Sequence, residues 1–187
     1  MESSNFPLKK FAEVMQVRGV GVYLHWSLVL VGCVILLGAF ERPAETLTGW
    51  AAYYGVLLIH ECGHMVVAQG KGYHVYAIEL YPIHGLVRYS EPRSRYDDAV
   101  IAWGGVAMQA LVGLPVVIYL SVFGFTRFAP LNVAMGILGY YSLFVAALNL
   151  LPLRPLDGAK AWYVLRVMFQ KRRSSADKGN SGWRSYR

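Results

Sequence analysis

Charged residues are scarce in this chain. Asp, Glu, Lys and Arg make up 16% of its 187 residues, whereas a soluble domain carries about 25%. Hydrophobic residues make up 56%, and the charged ones lie mainly in the gaps between long apolar runs. This distribution is typical of a chain that folds in a bilayer, and the length predicts a single domain.

Cysteine is nearly absent as well. Cys33 and Cys62 both fall inside apolar segments, so the chain has no disulfide framework. The N-terminal residues lack the short apolar core and small-residue cleavage site of a signal peptide, so we expect the first apolar segment to be retained. The net charge of +7 comes from residues that flank apolar runs without interleaved aromatic residues. This arrangement suits anionic lipid and predicts no nucleic-acid partner.

Four apolar stretches are long enough to cross a hydrocarbon core, which takes roughly 20 helical residues. They run over residues 22–40, 47–69, 99–125 and 131–151. With four spans, every Lys and Arg except Arg42 and Arg127 falls on one side of the membrane. The positive-inside rule therefore places both termini in the cytoplasm.

The loop between the second and third stretches has a strand pattern. Tyr76, Ile78 and Leu80 alternate with other residues, residues 82–85 break the run, and residues 86–89 resume it. This pattern predicts a short membrane-associated β-hairpin. The predicted fold class is thus an all-α polytopic membrane protein with about four transmembrane helices and one hairpin.

The second apolar stretch contains His60-Glu61-Cys62-Gly63-His64. Residues four apart share one face of a helix, so both imidazoles are able to bind one metal ion, with Glu61 placed to take a proton from metal-bound water. Ionisable side chains within a bilayer cost at least ~2.5 kcal/mol each when charged. A divalent metal compensates for such a cluster, and zinc requires a third protein ligand.

Asp157 is the best placed third ligand among the eleven acidic residues. In the predicted topology, His60 and His64 lie in the cytoplasmic half of the second span, and Asp157 lies at the cytoplasmic end of the fourth. An Asp before Gly after a proline-rich turn also suits a plain turn or helix cap.

His-Glu-x-x-His on a membrane helix, followed by Asn149-x-x-Pro152-x-x-x-Leu156-Asp157-Gly158, resembles the site-2 protease family of intramembrane zinc metalloproteases. The resemblance covers about residues 22–169. It is to a compact form of the family without an apparent extra regulatory domain. It implies one zinc ion per chain, held by His60, His64 and Asp157, with Glu61 as catalytic base.

The resemblance also suggests residues for substrate binding or oxyanion stabilisation. Gly105 and Gln109 match the spacing of a family motif in the third span, although Gln stands where Asn, Ser or Gly is commoner. Asn149 is a further hydrogen-bond donor to the substrate backbone or the intermediate. The implied partners are the lipid bilayer and a membrane-protein substrate that is cut in or near its transmembrane segment.

The composition, the distribution of Lys and Arg, and the resemblance together predict a domain division and a location. Residues 1–21 form a cytoplasmic N-terminal segment, 22–169 the intramembrane metalloprotease domain, and 170–187 a basic, disordered tail. The predicted location is a prokaryotic plasma membrane, which the chain crosses several times.

Three alternatives remain open from the residues. One is an intramembrane protein that binds or transports a divalent metal, although a transporter does not need Glu61 as a base. Another is a metallopeptidase of a different lineage, with Glu79 or Glu91 as third ligand. The last is an inactive membrane scaffold.

Overall fold

The computed structural model describes residues 11–167. The predicted tail over residues 170–187 lies outside them, as do the first ten residues of the predicted N-terminal segment. The elements follow in the order β1 (Phe11–Val17), β2 (Val20–His25), α1 (Trp26–Leu37), a 3₁₀ turn (Gly38–Phe40), α2 (Pro43–Gly70), β3 (Val75–Leu80), β4 (Gly85–Tyr89), α3 (Arg95–Phe123), α4 (Ala129–Gly136), a π-helical turn (Ile137–Tyr141), α5 (Ser142–Asn149) and α6 (Gly158–Ala161).

A four-stranded mixed sheet corrects the all-α prediction. Its strand order is β1-β2-β3-β4, with antiparallel outer pairs and a parallel pair of β2 with β3. The hairpin of β3 and β4 lies where the strand pattern predicted it. The hairpin of β1 and β2 was missed, and the predicted domain boundary at residue 22 falls inside β2.

The first hairpin is closed by a two-residue turn. Arg18 and Gly19 both have positive φ, at 51° and 79°, the backbone conformation that joins two antiparallel strands most tightly. Val20 and Val22 of β2 are buried. Because β2 runs directly into an apolar helix, its residues read in sequence as the start of a membrane span, and only the pairing with β3 makes them a strand.

Each of the four predicted apolar stretches is mostly helical, but the bounds of the helices differ from the predicted ones. The first stretch is wrong at its start, since α1 begins at Trp26 and has 12 residues. Two helical segments, Arg95–Phe123 and Ala129–Asn149, are long and apolar enough to cross a membrane among the described residues. Helix α2 is almost as long as α3, at 28 residues against 29. Helix α2 is less apolar than α3, because it carries polar residues such as His60, Glu61 and His64.

Glycines allow α2 and α3 to cross at backbone distance. A Cβ on Gly63 would overlap the carbonyl group of Gly104, and a Cβ on Gly104 would meet the carbonyl oxygen of Gly63. Small residues at such a crossing permit close packing of membrane helices. The crossing brings the face of α2 that carries His60 and His64 against α3.

The same two helices are also joined at their ends. Lys71, directly after α2, donates to Asp97 Oδ1 at 2.6 Å, and the Tyr73 hydroxyl donates to Asp97 Oδ2 at 2.9 Å. Helix α3 begins after Ser94, whose side chain accepts from the Asp97 backbone N–H. Acidic residues in the first helical turn are favourable, and here Asp97 also ties the loop to the helix.

Candidate metal centre

Three side chains from two distant parts of the chain meet beside the α2–α3 crossing. His60 Nε2 lies 2.9 Å from Asp157 Oδ2 and 3.0 Å from His64 Nε2. His64 Nε2 lies 3.2 Å from Asp157 Oδ2. The two imidazoles are buried and Asp157 is partly buried. The three atoms therefore form a nearly equilateral triangle.

The protons of both imidazole rings point away from this triangle. His64 Nδ1 lies 2.8 Å from the Ile101 carbonyl oxygen, and His60 Nδ1 lies 2.8 Å from Gln109 Oε1. Because both partner atoms are acceptors, each Nδ1 donates and each Nε2 presents its lone pair. Two lone pairs and a carboxylate oxygen repel one another unless a cation lies between them.

A zinc ion fits this donor set. The three atoms lie close enough together that His60, His64 and Asp157 would all reach one zinc ion at the usual ligand distances of about 2.0–2.2 Å. Two imidazole nitrogens and a carboxylate oxygen leave a fourth position open, as in catalytic zinc sites. Acceptors on the far ring nitrogens are also typical of metal-bound histidines.

Glu61 lies beside the three ligand atoms without a hydrogen-bond partner. Glu61 is 5% exposed, and none of residues 11–167 makes a hydrogen bond to its carboxylate. Gly85, the first residue of β4, packs directly on it, because a Cβ on Gly85 would overlap Glu61 Cγ and Oε1. The carboxylate is therefore shielded by backbone while its oxygens stay available to a proton donor.

Asp157 is held in place through the residues that follow it. Lys160 Nζ donates to Asp98 Oδ1 at 3.1 Å, and Trp103 Nε1 donates to the Ala161 carbonyl oxygen at 3.0 Å. Both contacts tie α6 to α3. The turn is also tight at Gly158, where a Cβ would overlap the backbone of the preceding loop.

Asp98 has a second partner in β4. The Tyr89 hydroxyl donates to Asp98 Oδ1 at 3.1 Å. Burial, followed by the nearby Asp98 carboxylate, raises the pKa of Tyr89 well above its ordinary value. The hydroxyl therefore keeps its proton and joins the edge of the sheet to the start of α3, next to the Asp157 loop.

A large cavity opens onto the three ligand atoms. Its volume is about 1210 Å³, and Glu61, Asn149 and the whole of β4 contribute to its wall. Because β4 is the last strand of the sheet, its outer edge faces no other strand among the described residues. The cavity is large enough for an extended peptide segment beside Glu61.

The structure places the three remaining predicted site residues in different settings. Gly105 packs under the imidazoles, since a Cβ there would lie 2.6 Å from His60 Cε1 and 2.7 Å from His64 Nε2. Gln109 is fully buried and contacts His60. Asn149 ends α5 at the cavity wall, and no hydrogen bond to its side chain is formed by residues 11–167.

The alternative third ligands lie elsewhere. The Glu79 side chain is fully buried in β3, where it is paired with Arg88 and accepts from the Tyr81 hydroxyl. Glu91 is exposed after β4. Within residues 11–167, the one group of His, Cys, Asp and Glu side chains close enough to hold a metal is His60, His64 and Asp157.

Sequence reasoning missed the residues that support this site. Gly85 is recognisable in sequence only as part of a turn, and nothing in its spacing indicates contact with Glu61. Trp103, Asp98 and Lys160 likewise carry no motif. Their contacts depend on how α6 folds back onto α3, which no local pattern records.

Comparison with solved structures defines the fold as that of the site-2 proteases. The site-2 protease from Methanocaldococcus jannaschii matches with a TM-score of 0.67 and 22% sequence identity, covering 86% of this chain and 72% of that one.

A zinc metalloprotease of the same organism is 24% identical over 173 residues, which cover 90% of this chain and 47% of the relative. The chain thus spans about half the length of that relative. No protein-family model matches. The structural match confirms the resemblance to the site-2 proteases in the fold, and the second relative is a zinc metalloprotease.

Proposed function

We propose that the chain is an intramembrane zinc metalloprotease that hydrolyses peptide bonds in or near the transmembrane segments of membrane-protein substrates. The convergence of His60 Nε2, His64 Nε2 and Asp157 Oδ2 beside the unpartnered Glu61 carboxylate is the observation that carries this proposal. The site-2 protease fold and the similarity to a zinc metalloprotease support it.

In this proposal His60, His64 and Asp157 hold one zinc ion per chain. When bound, zinc supplies Lewis-acid activation of water and of the scissile carbonyl group. Glu61 takes the proton from the attacking water and delivers it to the departing amine, as a general base and then a general acid. The backbone at Gly85 keeps bulk water from that carboxylate.

Three further residues complete the proposed site. Asn149 offers its side-chain N–H to the substrate backbone or to the developing oxyanion, because it faces the cavity without another partner. Gly105 leaves the room that both imidazoles occupy. Gln109 supports the site from within the helix packing, where its Oε1 atom lies 2.8 Å from His60 Nδ1.

The substrate segment binds as an added strand at β4. Gly85, Leu86, Val87, Arg88 and Tyr89 all line the cavity, and β4 is the edge of the sheet. An extended segment there satisfies its backbone hydrogen bonds while its peptide bonds are open to attack. A photo-crosslinking residue at Leu86 is expected to capture the substrate, and its failure while one at the exposed Val14 of β1 succeeds would refute this site.

We further propose that four segments lie in a prokaryotic plasma membrane, with both termini cytoplasmic. The parallel pairing of β2 with β3 supports this topology. Helix α1 leaves the end of β2 and α2 leads into the start of β3, so both helices are attached to the same sheet. Helix α1 with its 3₁₀ turn is short for a hydrocarbon core of about 30 Å, a mismatch that local thinning of the bilayer accommodates.

The deciding experiment measures zinc content and cleavage in the same preparations. Wild type, Glu61→Gln and Asp157→Ala are purified in detergent and reconstituted with a single-span reporter tagged at both ends. His74→Ala is the control, because His74 is an exposed histidine before β3. We expect near-stoichiometric zinc in all but Asp157→Ala, and cleavage only in wild type and the control.

The other outcomes identify what is wrong. Full zinc in Asp157→Ala would exclude Asp157 as the third ligand. Cleavage by Glu61→Gln at the wild-type rate would exclude Glu61 as the base. Zinc in wild type without cleavage, together with zinc flux across the vesicle membrane, would replace the protease by a metal transporter. No zinc in wild type after resupply would favour an inactive scaffold.

A further inference from the structure

Gln109 is a polar side chain buried in the packing between two helices. It lies in α3, one turn after Gly105, and has no exposed surface. Its Oε1 atom lies 2.8 Å from His60 Nδ1. Its Nε2 atom is buried too and has no hydrogen-bond partner among residues 11–167. Only the oxygen of this amide therefore takes part in a hydrogen bond, and its partner is a proposed zinc ligand.

The contact decides which His60 nitrogen carries the proton. A neutral imidazole has one N–H and one lone pair. When Oε1 accepts from Nδ1–H, the lone pair is left on Nε2, the atom that lies 2.9 Å from Asp157 Oδ2 and 3.0 Å from His64 Nε2. Without this acceptor, the proton is free to move to Nε2, where it blocks metal binding.

The two histidines differ in how this proton is held. His64 Nδ1 donates to the backbone carbonyl oxygen of Ile101, which is present whatever residue stands there. His60 depends on the side chain at position 109. A single substitution at position 109 therefore removes the acceptor that orients the His60 ring, whereas the acceptor of His64 is a backbone atom.

Because Nε2 has no partner among residues 11–167, we infer that the oxygen of the amide is the atom that matters for zinc binding. Burying an unpaired N–H donor is unfavourable, and an apolar side chain of similar size avoids that loss. The amide is also unable to offer Nε2 to His60 Nδ1 without reversing the tautomer. An acceptor at this position suits zinc binding, whereas a donor opposes it.

We propose that Gln109 is a positioning residue for the metal centre: it accepts from His60 Nδ1–H and holds the Nε2 lone pair toward the ion. It acts through His60 and touches neither zinc nor substrate. This inference rests on the proposed zinc site but not on proteolysis. It replaces the expectation that Gln109 binds substrate through its N–H group.

The test separates the acceptor from the donor and from packing. Gln109→Glu keeps an acceptor oxygen at the same reach and removes the Nε2 donor. Gln109→Met keeps the length and removes both. Ser142→Ala is the matched control, because Ser142 is also buried on a membrane helix with an unpartnered polar atom. The probe is zinc itself, titrated against a chromogenic chelator into the full-length chain in detergent.

We expect Gln109→Met to weaken zinc binding by about 10- to 100-fold, the range seen when a partner of a metal-bound histidine is removed. Gln109→Glu and Ser142→Ala should bind zinc at least as tightly as wild type. At saturating zinc, cleavage of the reporter by Gln109→Glu should keep its KM, because no donor to the substrate has been lost.

Several results would overturn the proposal. One is wild-type zinc affinity in Gln109→Met. Another is equal weakening in Gln109→Glu and Gln109→Met, which would mean that packing or the N–H group matters instead. A raised KM in zinc-saturated Gln109→Glu would restore the substrate role. If wild type itself binds no zinc, the proposed function fails first, so the two failures are distinguishable.

Discussion

The side chains of His60 and His64 are 9% and 10% exposed, whereas that of Asp157 is 24% exposed. The histidines lie on one long helix, where backbone hydrogen bonds and the crossing with α3 hold them. Asp157 lies in a loop and depends on contacts made by the next few residues. The histidine side of the candidate metal centre is thus part of the helix packing, whereas the Asp157 side is joined to it through a loop.

This difference predicts unequal responses to mutation. A change at the helix crossing moves two ligands together, and the surrounding close-packed backbone has little room to relax. A change around Asp157 removes one of several parallel contacts, so the ligand stays near its position. The same kind of substitution is therefore expected to weaken zinc binding strongly on the first side, around His60 and His64, and only mildly on the second side, around Asp157.

The largest effect is expected for Gly105→Ala. The new Cβ would lie 2.6 Å from His60 Cε1 and 2.7 Å from His64 Nε2, so both rings have to move. We expect zinc affinity to fall by at least about 100-fold, with a stability loss of about 1–3 kcal/mol from overpacking. Chelator competition and thermal unfolding of the zinc-free protein measure the two effects.

Gly55→Ala is the matched control for that substitution. Gly55 is also a helix glycine, on α2, and has open space around its Cβ position. Alanine there is expected to leave zinc affinity unchanged and to favour the helix by about 0.5–1 kcal/mol. Equal behaviour of the two variants would show that the histidines are not confined by α3.

The next effect is expected for Gly85→Ala, which tests catalysis without touching a ligand. Its Cβ would overlap the Glu61 carboxyl group and displace it. We expect zinc content to stay the same while turnover falls by about 10²–10³-fold, within the range for losing a general base. Gly70→Ala is the control, because that glycine has open space. Wild-type turnover in Gly85→Ala would mean that Glu61 does not depend on this contact.

Smaller effects are expected where α6 is attached to α3. Trp103→Phe removes the donor to the Ala161 carbonyl oxygen, and Lys160→Met removes the ion pair with Asp98. Each change costs about 1 kcal/mol or less, because the hydrogen bond is neutral and the ion pair is largely exposed. We expect zinc affinity to fall a few-fold in each variant and further in the double variant.

Lys71→Met is the control for this second side. This substitution removes the ion pair between Lys71 and Asp97. Asp97 lies on α3, as Asp98 does, but its ion pair with Lys71 does not involve α6. Stability is expected to fall slightly and zinc affinity to remain. A larger loss of zinc in Lys160→Met than in Gly105→Ala would reverse the comparison between the two sides of the site.

The smallest effect is expected for Tyr53→Phe. The Tyr53 hydroxyl donates to the Pro82 carbonyl oxygen at 2.9 Å and ties the turn before Gly85 to α2. Losing one such hydrogen bond costs about 1 kcal/mol. Turnover should fall a few-fold at unchanged zinc content, measured beside Gly85→Ala in the same vesicles. A loss as large as that of Gly85→Ala would mean that this bond alone holds the turn.

Some of the fold could be read from local patterns. The hairpin of β3 and β4 was predicted because Tyr76, Ile78 and Leu80 alternate between turn-forming segments. The hairpin of β1 and β2 was missed because Val20 and Val22 continue into an apolar helix. A short apolar run has the same composition whether it starts a helix or pairs with a strand 56 residues further on.

The candidate site divides in the same way. Helix periodicity alone places His60 and His64 on one face, with Glu61 beside them. The spacing of four needs no knowledge of the rest of the chain. Asp157 required the topology and the family resemblance, since an Asp before Gly is ordinary in turns. The spacing of Gly105 and Gln109 indicated a role in the site, but nothing in the sequence indicated that Gln109 contacts His60.

The sequence by itself determined the candidate ligand types, the carboxylate beside them and the apolar helices, because these follow from residue chemistry and from the period of one helix. Only the tertiary structure decided which nitrogen of each histidine faces Asp157, which backbone shields Glu61 and what anchors α6. The contacts behind these relations join residues 49 and 37 positions apart for the two histidines, 24 for Glu61 and 58 for α6. They depend on how α2, α3 and the sheet pack, and packing is decided by all contacts together.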